Sequence, residues 1–84
     1  MAYYDAFERK TIVTEIRAQL RDQPATQTRN RKPLRANPLA PWELRIGKYR
    51  AFYEVNLEIH YVRILAVGHK EHGQLWIRGQ EVEL

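Results

Sequence analysis

The chain has 84 residues and no cysteine, with 14 Lys and Arg against 10 Asp and Glu, for a net charge of +4. That length supports one small domain with a single modest core, and the lack of cysteine excludes disulfides and thiolate metal ligation. No run approaches the roughly 18 apolar residues of a membrane-spanning helix. The first residues, with Asp5 and Glu8, do not read as a secretory signal. A soluble, cytoplasmic protein is expected.

Residues 3–22 read as one amphipathic helix. Phe7, Ile12, Val13, Ile16 and Leu20 fall at helical spacing, charged residues fill the other faces, and Pro24 stops the run. Residues 24–41 form an extended connector that holds Pro24, Pro33, Pro38 and Pro41. The rest of the chain is charge-balanced, so the positive excess lies here, on Arg29, Arg31, Lys32 and Arg35. A basic, proline-rich segment suits phosphate backbones or an acidic protein partner; a merely solvated loop is the alternative.

From Trp42 the period changes to two. Strands at 42–46 and 49–56 flank Gly47-Lys48, a two-residue connection suited to a type II′ turn. That turn sets the register: Ile46 opposite Tyr49, Arg45 opposite Arg50, Leu44 opposite Ala51, Trp42 opposite Tyr53. One face becomes a row of apolar pairs, which takes Tyr49 out of the polar chemistry. The other face sets two guanidinium groups side by side, an unfavourable arrangement that an anion between them would relieve. Alternatively, Glu43 and Glu54 neutralise both arginines on a solvated face.

A third strand runs from about 58 to 67 after a tight turn at Asn56-Leu57. Ile59, Tyr61, Leu65 and Val67 fall on one face and Val62, Ile64 and Ala66 on the other, so both sides of it need cover. Gly68 ends it, Gly73 marks a bend, and short segments follow at 74–78 and 81–84. The expected fold is α+β, with one N-terminal helix on a three- to four-stranded, largely antiparallel sheet. The connector, the C-terminal tail or a second copy of the chain must cover the sheet's second face.

The run from Leu34 to Arg50, then Phe52-Tyr53-Glu54-Val55, then Val67-Gly68-His69-Lys70, resembles the RelE/ParE superfamily of type II toxin–antitoxin toxins. The shared pattern is an aromatic-x-x-Arg strand, a Gly turn, a Tyr-Arg pair and a later Val-Gly-basic-basic stretch. The resemblance implies a cognate antitoxin as partner. Its RelE branch cleaves mRNA in the ribosomal decoding site with a metal-free basic cluster, whereas its ParE branch inhibits DNA gyrase and is not a nuclease. Members usually begin with an edge strand and a helix that this chain starts after. A sheet without that strand would bare backbone groups and apolar surface, so a homodimer is expected.

Carried onto this chain, the cluster implies Arg50 and Arg45 as a charge clamp, with Lys70 at the basic position after Val-Gly. Trp76 stands where the ribonucleases place a late tyrosine, and Glu43 where they place another basic residue. An indole can stack on a base but cannot act as acid or base. Proton transfer would then fall to His69 or His72, whose ordinary pKa of about 6.5 suits the task; both also fit an exposed loop beside Gly68 and Gly73. RNA contact would extend to Arg29, Arg31, Lys32, Arg35 and Trp76. His69 and His72 are too isolated from other ligands for a metal site, His60 reads as a surface or core-edge residue, and no cofactor is expected.

Overall fold

Asp5 starts the helix. In the computed structural model, which describes residues 3–83, its carboxylate accepts from the Glu8 backbone N–H at 2.8 Å, and Glu8 returns the contact to the Asp5 N–H at 3.3 Å. This capping box satisfies donors that a helix start leaves orphaned. Helix α1 spans Ala6–Leu20, shorter at both ends than the periodicity predicts. Its far end is closed by a residue of the connector. The Arg31 Nη1 donates to the carbonyls of Gln19, Asp22 and Gln23 at 3.1, 2.8 and 2.8 Å, where the helix dipole favours a cation.

Among the described residues six antiparallel strands follow: β1 (Arg31–Pro33), β2 (Trp42–Ile46), β3 (Tyr49–Asn56), β4 (Tyr61–Glu71), β5 (Gln74–Ile77) and β6 (Gln80–Val82), adjacent in that order. The α+β reading holds, but the sheet is larger than the three or four strands expected. Part of the connector pairs with β2, Arg31 opposite Leu44 and Pro33 opposite Trp42. The third strand continues through His69 and Lys70 instead of ending at Gly68. Two-residue turns at His72-Gly73 and Arg78-Gly79, with positive φ at all four positions, fold the tail into two more strands.

The β2–β3 hairpin has the predicted register at every pair. Gly47 has φ of 57° while Lys48 is not among the residues with positive φ, as a II′ turn requires. Leu44, Ile46, Ala51 and Tyr53 therefore face the helix and form a core with Tyr4, Ile12 and Leu20. The Tyr53 hydroxyl, buried in that core, donates to the Pro24 carbonyl at 2.7 Å.

The connector covers the second face, with the C-terminal strand beside it. Leu34, Leu39 and Ala40 pack on Phe52 and Leu75, joined by Val82. Asn37 shapes this loop: its amide donates to the carbonyls of Arg35 and Ala40, and its oxygen accepts from the N–H groups of Leu39 and Ala40. The third strand departs from the expected alternation. Phe52 pairs with Ala66 but Tyr53 with Ile64, so Leu65 is bulged out. The bulge puts Ile64 on the same face as Val67, with Val62. The strand is not covered throughout, since Ile64 and Leu65 are each 36% exposed. The turn before it occupies residues 57–60, beyond the expected Asn56-Leu57.

Burial pushes the phenols of Tyr4 and Tyr53 from their ordinary value of 10 up to about 12. Both stay protonated in the fold at pH values where the unfolded chain would ionise them. Stability should hold in full below pH 10 and fall progressively as pH rises towards 12. Urea denaturation midpoints measured across that interval check this, and Tyr53→Phe should flatten the decline.

Candidate functional site

Arg45 and Arg50 sit opposite one another near the tip of the β2–β3 hairpin, on the face away from the helix. The face follows from the alternation: Tyr49, Ala51 and Tyr53 pack towards the helix, and Phe52 packs under the connector. The two groups have unlike surroundings. Arg45 is exposed. Arg50 is 9% exposed, and its Nη1 donates to the carbonyls of Gly47 and Tyr49, both at 2.8 Å. Arg50 thus clamps the turn that positions it. Its pKa is lowered by desolvation, which the Glu43 carboxylate opposes and the Arg45 guanidinium adds to.

Gly68 lies opposite Arg50 on β4, where any side chain would strike the Trp76 carbonyl and Ile77. Two residues further, Lys70 shares that face, and its backbone N–H donates to the Lys48 carbonyl at 2.7 Å. Arg45, Arg50 and Lys70 therefore lie on one side of the sheet. An open groove of about 440 Å³ beside Lys70 also has Glu43, Glu81 and Glu83 in its lining. Glu43 is buried and pairs with the Lys32 ammonium at 3.4 Å. Glu54, offered as a neutralising partner for the pair, instead binds Arg63 at 2.7 Å.

The proposed proton carriers are placed differently. His69 pairs with Tyr49 across β3 and β4, so its ring is on the helix side. The Tyr4 hydroxyl lies 3.0 Å from the His69 Nδ1, and Tyr3 stacks on the ring with centroids 6.3 Å apart. Burial holds the Tyr4 phenol protonated, so it can donate to Nδ1, and the His69 Nε2 lies 3.5 Å from the Glu71 carboxylate. Trp76 is opposite His69 on that same face and is half-buried. His72 occupies an exposed turn with φ of 52°.

The connector cations divide as well. Arg31 caps the helix and Lys32 pairs with Glu43, while Arg29 and Arg35 are exposed. Sequence reasoning missed the network around Tyr4: the Tyr49 hydroxyl donates to Glu8 at 2.8 Å and its ring meets Tyr4 edge-on at 5.6 Å. The adjacent Tyr3-Tyr4 before a capping Asp5 was the available signal.

These placements separate two arginines that look equivalent in the sequence. Arg50→Ala removes two hydrogen bonds to the turn and should cost about 1–3 kcal/mol. Arg45→Ala relieves a like-charge pair and should change stability by less than about 0.5 kcal/mol. Chemical denaturation of the two variants side by side checks the difference.

No curated protein and no solved structure matches the chain significantly. A family model does: residues 2–73 match the ParE toxin of the type II toxin–antitoxin system, parDE. That match spans most of the chain and includes the hairpin, the arginine pair and the Val-Gly-His-Lys stretch. The chain belongs to the ParE toxin family of type II toxin–antitoxin systems.

Proposed function

We propose that this ParE-family toxin acts by protein contact, on DNA gyrase, and does not cut RNA. The observation that carries the reading is the division of the sheet. Arg45, Arg50 and Lys70 are on one face, while His69 is tied to Tyr4 on the other. Metal-free RNA cleavage needs a base for the 2′-hydroxyl proton next to the cations that hold the phosphorane charge. Guanidinium and ammonium groups are protonated at neutral pH. The carboxylate nearest in register, Glu43, is buried and ion-paired. In this reading the arginine face and the exposed Arg29 and Arg35 serve to contact acidic protein surfaces, the cognate antitoxin among them.

The shared face of Arg45, Arg50 and Lys70 favours a second reading, a phosphate socket that engages RNA. The purified chain tests both when assayed for block of gyrase supercoiling and for cleavage of mRNA on programmed ribosomes. The expected result is blocked supercoiling with intact mRNA. Ribosome-dependent cleavage that disappears in Arg50→Ala would restore the ribonuclease reading.

A further inference from the structure

Strand β4 is eleven residues long, yet it pairs with β5 only through His69–Glu71. Its earlier part is hydrogen-bonded to β3 on one side and, among the described residues, carries an open edge on the other. The sheet's two outermost strands, β1 and β6, are three residues each, and β1 ends in Pro33; short strands and proline blunt an edge. The open part of β4 has neither device, though the bulge at Leu65 limits its regular stretch to residues 61–64.

Exposed apolar surface concentrates there. Of the seven exposed large apolar side chains among the described residues, five lie between positions 57 and 65. Beside the open strand runs a groove of about 550 Å³ between α1 and β4. Ile16, Leu20, Val62 and Ile64 line it, Arg17 and Arg21 border it, and no carboxylate among the described residues does. Such a groove fits an apolar segment carrying negative charge.

The same chain presents one at the same end of β4. In the turn that precedes the strand, Leu57 and Ile59 are 66% and 68% exposed, and Glu58 stands between them. The turn is preformed: the Asn56 side-chain oxygen accepts from the N–H groups of Glu58 and Ile59 at 3.0 and 3.3 Å. An acidic apolar knob beside a basic apolar groove is a self-complementary surface, the condition for an isologous two-fold contact. We infer that the chain forms a homodimer in which the 57–59 turn of each copy seats in its partner's α1–β4 groove. Glu58 then meets Arg17 and Arg21 across the interface.

Sedimentation of the purified chain over a range of micromolar concentrations tests this. The wild type should be a dimer. Glu58→Arg should weaken it on the order of tenfold or more while leaving the circular dichroism spectrum unchanged, since Glu58 is exposed. Adding Arg17→Glu and Arg21→Glu to Glu58→Arg should restore dimerisation. A monomeric wild type overturns the inference, including one whose groove captures an acidic apolar peptide instead. So does a dimer indifferent to Glu58→Arg, or a charge swap that folds but stays monomeric.

Discussion

The Gly47-Lys48 turn fixes which side of the sheet each side chain of the hairpin occupies. A strand's side chains alternate with a period of two, so a slip of one residue would exchange the faces completely. With the turn in place, Leu44, Ile46, Ala51 and Tyr53 reach the helix, while Arg45, Arg50 and Phe52 turn the other way. Gly47, with no Cβ, adopts the positive φ that this turn requires at little cost. Arg50 then holds the turn closed through two carbonyls. Arg50, proposed here as part of the contact face, thus also maintains the turn that presents it.

The two faces are finished by different means. On one, a helix anchored by the Asp5–Glu8 capping box and by Arg31 supplies Ile12 and Leu20. On the other, the proline-rich connector folds back under the control of Asn37 and covers Phe52. The connector therefore does structural work with residues chosen from the sequence for charge. Arg31 is committed to the fold and Lys32, though exposed, is paired with Glu43, which leaves Arg29 and Arg35 as the exposed cations of this segment with no ion pair among the described residues.

Much of this was legible in the sequence where local rules decide. The hairpin register followed from one glycine and strict alternation, and the arginine pair followed from the register. The family was readable from the motif between Leu34 and Val55 and the Val-Gly-His-Lys that follows. What was not legible depended on long-range pairing. Nothing local marks Leu65 as a bulge, and the bulge reverses the face of Ile64. His69 looked like a loop residue because Gly68 reads as a strand end. Gly68 is instead a point of close approach by β5, and the strand runs on through it. That continuation carries His69 to the helix side, where Tyr4, distant in sequence, holds it.

A protein-contact role for the arginine face requires the His69 imidazole to lie across the sheet from the guanidinium pair. Nuclear Overhauser contacts from the His69 ring protons measure this directly in solution. Cross-peaks should appear to the rings of Tyr3 and Tyr4, its neighbours here, with none to the side chains of Arg45 or Arg50. Cross-peaks from that ring to the Arg50 side chain would contradict that role and place a proton carrier beside the charge clamp.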